Sequence, residues 1–261
     1  MPAELFDTHC HLTFNDLLPQ RRRVIADAVR AGVPRMITVA CGPSEFETAL
    51  ATRHMHDGVW VAAGLHPHEA SQVGDDDLKH LASFWREPGV VAAGEMGLDY
   101  HYDFSPRHVQ ESVFRRQLDL AAERGLPVVI HCREAHEDVV RILAEHGCVG
   151  KTVVFHCFSG TADEATELRA NGWWTSFTGI ITFKNASAAR EACAQTPADQ
   201  LMFETDAPYL SPEPVRRMRP NEPRNLTHTV RFAASLRGQT FESLAEASTA
   251  NAARFFRLPH V

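Results

Sequence analysis

The feature that most constrains the fold is an alternation of short apolar runs with longer amphipathic stretches, which continues along the sequence. The apolar runs are rich in β-branched residues and too short for buried helices, which is typical of buried parallel strands. We predict eight strands, at residues 4–11, 35–40, 59–65, 90–95, 128–131, 152–156, 173–177 and 201–205.

The intervening stretches carry apolar residues at three- and four-residue steps, which predicts helices. The clearest spans residues 106–124 and stops at Gly125. We predict other helices at residues 19–31, 44–56, 135–146, 162–170 and 226–236. Eight strands, most followed by a helix, predict an α/β fold of the (β/α)8 TIM-barrel type, with a doubly wound sheet as the alternative.

Composition bounds the class of protein. The chain has 261 residues, of which 44% are hydrophobic and 23% charged, enough for one large core, and we expect a single domain over residues 1–261. It has no apolar run near the roughly 20 residues that span a bilayer, and its first residues lack the pattern of a secretory signal. The six cysteines include no CxxC pair. These features predict a cytoplasmic protein with reduced thiols, no membrane association and no obligate protein partner.

The charge balance limits how this chain can meet a nucleic acid. The formal net charge is −7, which argues against a protein that coats nucleic acid with a basic face. Of the 26 basic residues, however, only Lys79, Lys151 and Lys184 are lysines. Arginine suits bidentate contacts to phosphate or carboxylate, so a phosphate-handling enzyme remains compatible with the composition.

Histidines gather at the ends of the predicted strands, which form the catalytic rim of a barrel. His9 and His11 belong to the first strand, and because side chains alternate they share a face while Cys10 points away. Two imidazoles on one inward face can hold a metal, although an HxH pair alone is a weak signal. The other rim histidines are His66, His68, His131 and His156.

Two carboxylates join these histidines at the same rim. Glu95 ends the fourth strand, where a buried carboxylate is costly unless it is paired or metal-bound, and Asp206 follows the eighth. With His9, His11, His131 and His156, they predict a site for two divalent cations. Because the donors are nitrogen and oxygen without thiolate, Zn²⁺, Mn²⁺ and Mg²⁺ are all admissible. The fourth strand has no lysine to bridge the metals, so Glu95 is the predicted bridge.

Six segments together resemble the TatD family of metal-dependent deoxyribonucleases, which belongs to the amidohydrolase-type metal barrels. The segments are DTHCHL (7–12), AAGLHPH (62–68), GEMGLDYHYDFSP (94–106), LPVVIHCREA (126–135), HCFSG (156–160) and ETDAPYLSP (204–212).

The resemblance implies two metals and a nuclease activity. One metal would be held by His9, His11, Glu95 and Asp206, and the other by Glu95, His131 and His156. The resemblance also implies a role for His66 near the substrate phosphate, and 3′-to-5′ polarity. One departure is the loop before Asn221-Glu222-Pro223, where the family often has Gly-Lys-Arg and this chain has Met218, Arg219 and Pro220.

These features predict phosphodiester hydrolysis by a two-metal mechanism, with single-stranded DNA or frayed ends as substrate and RNA as an alternative substrate. Asp206 is the predicted general base. His66 or His68 could contact a phosphate oxygen, and Arg133 could add a bidentate grip, or else pair with Glu134 or Glu137.

Asp99 is expected to orient a histidine rather than bind metal. Aromatic residues near the rim could stack a base or pack beneath the loops, and packing is favoured for Phe104 and Phe158. The other two candidates for stacking are Tyr100 and Tyr102.

Two other functions remain open. The same metals could hydrolyse an amide, a lactone or an aminoacyl ester, because fold and metals do not choose the bond. The chain could also be a non-catalytic scaffold that keeps its metals for stability. Inhibition by inorganic phosphate or mononucleotides would indicate the phosphodiesterase.

Overall fold

The computed structural model describes residues 3–259, and its centre is one sheet of eight parallel strands. Each strand pairs with the next in sequence order, from the first to the eighth. The strands are Phe6–Cys10 (β1), Arg35–Ala40 (β2), Val59–Ala63 (β3), Val90–Asp99 (β4), Val128–Arg133 (β5), Val153–Phe155 (β6), Trp174–Phe177 (β7) and Leu201–Phe203 (β8). The predicted (β/α)8 barrel is confirmed.

The barrel closes where the end of β1 meets the loop after β8, a junction we call the seam. A parallel bridge joins Cys10 to Ala207, and the His11 amide donates to the Ala207 carbonyl at 2.7 Å. The Asp206 amide donates to the His9 carbonyl at 2.9 Å. The seam therefore brings His9, His11 and Asp206 together.

Helices surround the sheet, and nine are found within residues 3–259. They are Arg21–Arg30 (α1), Phe46–Arg53 (α2), Asp75–Phe84 (α3), Arg107–Arg124 (α4), His136–Glu145 (α5), Ala162–Ala170 (α6), Ser187–Gln195 (α7), Leu226–Arg237 (α8) and Phe241–Phe255 (α9). Helices α3, α7 and α9 were not predicted from the sequence. None of the helices in this described region is long and apolar enough to cross a membrane.

Two apolar clusters build the core. The larger cluster includes the inner faces of the helices, such as Phe114 and Leu118 of α4. The smaller one contains Phe6, Val129 and Met202 from three different strands, and Phe256 packs against Phe6 with ring centroids 6.1 Å apart. Burial of apolar side chains on both faces of the sheet explains why the strands read as nearly continuous hydrophobic runs.

Helix α4 also fastens the rim through two buried glutamines. Gln117 accepts a hydrogen bond from the Leu65 amide at 2.8 Å and donates to the Leu65 carbonyl at 3.0 Å. Gln110 makes the same pair of bonds with the Asp99 backbone, at 2.8 and 3.0 Å. The helix thereby fixes the chain next to His66 and at the end of β4.

Strand β4 is longer than predicted: it passes Glu95 and ends at Asp99. Its pairing with β5 shifts register between Ala93 and Met96, around Glu95. Gly97 has φ +144°, and a Cβ there would lie 2.0 Å from the His131 carbonyl oxygen. Only glycine fits this close approach, which keeps Glu95 and His131 on adjacent strands.

We predict that Gly97→Ala lowers the free energy of unfolding by roughly 3 kcal/mol, because the methyl group would clash with the β5 backbone and strain its own. Urea denaturation measures this change. Gly42→Ala is the matched control, since Gly42 is extended at φ −172° and nothing in the described residues lies within 4 Å of the added Cβ. Equal stability of the two variants would contradict the argument.

Candidate metal centre

The six predicted ligands converge at the C-terminal rim of the barrel. They come from β1 and its end, β4, β5, the residue after β6 and the loop after β8, and most of them are fully or nearly buried. The residues are His9, His11, Glu95, His131, His156 and Asp206.

The first cluster lies across the seam. The Nε2 atoms of His9 and His11 are 3.2 Å apart, and Asp206 Oδ1 is 4.0 and 3.3 Å from them. Glu95 Oε2 lies 3.3 Å from His9 Nε2 and 3.8 Å from His11 Nε2. Four donor atoms from three parts of the chain thus face one another.

The second cluster lies on the other side of Glu95. Its Oε1 is 2.7 Å from His131 Nδ1, 2.8 Å from His156 Nε2 and 3.3 Å from His66 Nε2. The nitrogens of His131 and His156 are 3.5 Å apart. The two oxygens of Glu95 therefore face different clusters.

These spacings fit divalent cations. Metal–nitrogen and metal–oxygen bonds near 2.0–2.2 Å place neighbouring donor atoms roughly 3 Å apart. Burial raises the pKa of Glu95, but the surrounding histidines, His156 and His66 first among them, outweigh burial and hold it well below its usual range. A carboxylate among imidazole nitrogens is the donor chemistry that such cations need.

Asp99 lies outside the two donor clusters and contacts a histidine of the second. Its Oδ2 is 3.0 Å from His131 Nε2, the ring nitrogen that does not face Glu95, and 2.9 Å from His68 Nε2. Burial raises the pKa of Asp99, but hydrogen bonds from His131 and His68 hold it well below its usual range. The carboxylate orients both rings, as expected of a residue that positions a metal ligand.

Glu204, which was not identified from the sequence, is a buried carboxylate that does the same for His156. Glu204 Oε1 lies 3.2 Å from His156 Nδ1 and accepts a hydrogen bond from the Cys157 amide at 2.6 Å. Thr8 Oγ1 donates to its other oxygen at 3.3 Å. Glu204 could have been identified from the sequence, because an acidic residue directly after a buried apolar strand needs a hydrogen-bonding or charged partner.

Asp7 was also not identified from the sequence, and it forms hydrogen bonds across the seam. It accepts hydrogen bonds from the Thr205 amide at 2.9 Å and the Thr205 hydroxyl at 2.5 Å. Burial raises the pKa of Asp7 to about 8, although the bonds from Thr205 oppose the change.

A thiol also reaches the first cluster, where only nitrogen and oxygen donors were expected. Cys41 Sγ lies 3.7 Å from His11 Nδ1 and 3.8 Å from Glu95 Oε2. Cys41 directly follows β2. The position of Cys41 at the end of a strand could have identified it, because the same position identified the rim histidines.

The two clusters form the floor of a cavity of about 1130 Å³. The predicted substrate contacts His66, His68 and Arg133 all line it. Arg133 lies over the Tyr102 ring, 4.8 Å from its centroid, and forms no salt bridge to Glu134 or Glu137 in the described chain. A neighbouring cavity of about 650 Å³ shares Arg133 and His156 with the first.

The loop after β8 is held by Asn221, which is completely buried. Its Nδ2 donates to the Thr205 carbonyl at 3.1 Å and to the Tyr209 carbonyl at 2.6 Å. The Ser211 hydroxyl donates to the Met218 carbonyl at 2.6 Å. Despite the altered sequence at residues 218–220, the loop is fastened on both sides of Asp206.

We predict that Asn221→Ala lowers the free energy of unfolding by roughly 3 kcal/mol, because the buried Thr205 carbonyl and the partly buried Tyr209 carbonyl lose their donor. Thermal or urea unfolding measures the loss. Asn171→Ala is the control: its Nδ2 donates to the Glu167 carbonyl at 3.0 Å on the surface, where water can replace it. A loss no larger than that of the control would refute the role assigned to Asn221.

An eight-stranded parallel barrel with imidazoles and carboxylates on its C-terminal rim is typical of metal-dependent hydrolases. The model of the TatD related DNase family matches residues 6–257, and the chain belongs to that family. The predicted resemblance is confirmed, and the chain is a TatD-family metal-dependent hydrolase.

Relatives and solved structures agree over the full length. The chain is 40% identical to the uncharacterized metal-dependent hydrolase YabD of Bacillus subtilis, over 97% of this chain and 99% of that protein. It is 39% identical to the 3′-5′ ssDNA/RNA exonuclease TatD of Erwinia tasmaniensis, over 97% and 100%. The crystal structure of YJJV, a TatD homolog from Escherichia coli K12, covers 99% of this chain and 100% of its own at 30% identity, with a TM-score of 0.93.

Proposed function

We propose that this protein is a 3′-to-5′ exonuclease that hydrolyses phosphodiester bonds of single-stranded DNA, and also of RNA, with two divalent metal ions. The observation that carries the proposal is the position of Glu95, whose two oxygens face two separate donor clusters beneath an open cavity. The polarity and the single-stranded substrate rest on the names of relatives such as the Erwinia tasmaniensis exonuclease.

In this proposal, Glu95 would help to hold both metals. His9, His11 and Asp206 would complete the first set of ligands, and His131 and His156 would complete the second. Asp99 and Glu204 hold His131 and His156 in the orientation that presents the ligating nitrogen. Mg²⁺, Mn²⁺ and Zn²⁺ all suit these donors.

The metals would supply an activated water and charge stabilisation for the phosphate. Asp206, whose side chain lines the cavity, takes the proton from the attacking water as general base. His66, whose Nε2 lies 3.3 Å from Glu95 Oε1, or His68, which Asp99 holds in place, would contact a phosphate oxygen. Arg133 grips the phosphate from the cavity wall.

Local contacts of this kind suit a chain with a net charge of −7. Such a protein does not attract DNA with a broad basic surface, so it depends on groups inside the cavity to hold the substrate. A cavity on the rim receives a strand end more readily than the middle of a duplex. This supports an exonuclease that acts on single strands and frayed ends.

We predict that Asp206→Asn lowers the rate of cleavage by at least about 100-fold, because the amide cannot accept the proton. A time course on 5′-labelled single-stranded DNA with Mg²⁺ or Mn²⁺ measures this, beside a reaction containing EDTA. Asp163→Asn, at an exposed position, is the matched control. Shortening from the 3′ end in the wild type and the control, but not in Asp206→Asn, is the expected result.

Cleavage by Asp206→Asn at the rate of the control would refute the assignment of the base. If the wild type binds its metals but leaves DNA and RNA intact, hydrolysis of an amide, lactone or aminoacyl ester replaces the proposal. Added inorganic phosphate separates these cases, because it inhibits a phosphodiesterase by competing for the same groups.

We predict that His131→Ala loses one equivalent of metal and Glu95→Gln loses occupancy at both sites, because Glu95 faces both clusters. Elemental analysis of the purified variants gives the stoichiometry without reference to activity. His54→Ala is the control, since His54 is exposed. Unchanged metal content in Glu95→Gln would remove this residue from the ligand set.

A further inference from the structure

Two aromatic rings stand exposed at the edge of the larger cavity. Tyr102 is 47% and Phe104 67% exposed, and both line the cavity. Their ring centroids are 5.3 Å apart, with an angle of 20° between the planes, so the rings stack. A stacked apolar pair open to solvent at the mouth of a cavity is typical of a binding surface.

The pair is held in a defined place beside the metal clusters. The Tyr102 amide donates to Asp99 Oδ1 at 2.8 Å, the same carboxylate that bonds to His131 and His68. The His68 ring packs edge-on against Phe104, with centroids 4.8 Å apart. The aromatic pair therefore directly contacts His68 and Arg133, two of the groups proposed to contact the phosphate.

The other two aromatic residues considered for stacking, Phe158 and Tyr100, are engaged in contacts within the protein. Phe158 is 7% exposed and packs in the core, as expected. Tyr100 is only partly exposed, its hydroxyl donates to Asp138 at 3.0 Å, and it does not line the larger cavity. Phe104, for which packing was favoured, is instead the most exposed of the four residues considered for stacking.

We propose that Phe104, stacked on Tyr102, forms a platform on which an unpaired base adjacent to the scissile phosphate stacks. This inference rests on the proposed function and names the part of the substrate that the site recognises. Arg133, proposed above to hold the phosphate, lies over the Tyr102 ring, so the contacts to the base and to the phosphate would be neighbours. The platform recognises the flat face of a base, which all four bases share, and so it is tolerant of sequence.

The platform accounts for a preference for unpaired ends. A base within a duplex is covered on both faces by its neighbours, and it must leave that stack before a protein ring can cover it. A strand end or a single strand loses little free energy in this step. Purines, which have the larger ring system, bind more tightly than pyrimidines on such a surface.

The test is a double-mutant cycle that removes the ring and the base separately. Binding of short fluorescein-labelled single-stranded DNA is measured by anisotropy in the Asp206→Asn background with Mn²⁺, so that cleavage does not interfere. One substrate is intact, and two others carry an abasic site at the 3′-terminal or the penultimate position. The protein variants are Phe104→Ala, Phe104→Trp as rescue, and Val149→Ala, an exposed apolar residue that does not line the cavity.

We expect Phe104→Ala to weaken binding of the intact strand about tenfold, within the range for stacking of one base on an aromatic side chain. Removing the base at one of the two positions should weaken binding by the same factor when Phe104 is present, and by less than about twofold in the Phe104→Ala variant. Phe104→Trp should restore binding, and Val149→Ala should bind as the parent does.

Several outcomes would overturn the platform. One is equal binding of the intact strand by Phe104→Ala and its parent. Another is that the fold-losses in affinity caused by Phe104→Ala and by the abasic site multiply when the two changes are combined. That result would show that the ring and the base act independently. Failure of the proposed function has a different signature, because DNA that binds through Phe104 but is not shortened by the wild-type protein leaves the platform in place and removes the nuclease.

Discussion

The site depends on one buried carboxylate. Glu95 is almost completely buried, yet its oxygens lie within 4 Å of five imidazole rings, which gives an ionised group enough partners to offset the loss of water. Much of the surrounding structure serves this contact. The register shift of β4 falls around Glu95, Gly97 allows β5 to approach, and Asp99 at the end of the same strand aligns His131.

The sequence predicted the barrel well because strand and helix periodicities repeat with little interruption. Strand β2 and helix α6 have the predicted bounds. Helix α7 was missed because it is rich in alanine and has few large apolar residues to mark a face. Strand β4 was predicted to end at Glu95, whereas it continues to Asp99 through Gly97, a glycine that permits a close approach to β5.

The candidate ligands were predictable for the same reason that the fold was: they stand where strands end. The residues that orient them were harder to find, because their role depends on contacts between distant parts of the chain. Glu204 and Asp7 belong to this group, as does the thiol of Cys41, which an argument from cysteine spacing left among the buried thiols. Hydrogen bonds such as that from Gln110 to Asp99 have no signature in sequence periodicity.

The seam has a consequence for stability. Strands β1 and β8 are joined by a single bridge and a few hydrogen bonds, whereas neighbouring strands elsewhere share longer ladders. The donors of the first cluster sit on both sides of this junction, with His9 and His11 on one side and Asp206 on the other. An ion bound there would link the end of β1 to the loop after β8. Because the ion binds only the folded barrel, the free energy of unfolding would rise with the concentration of free metal through mass action.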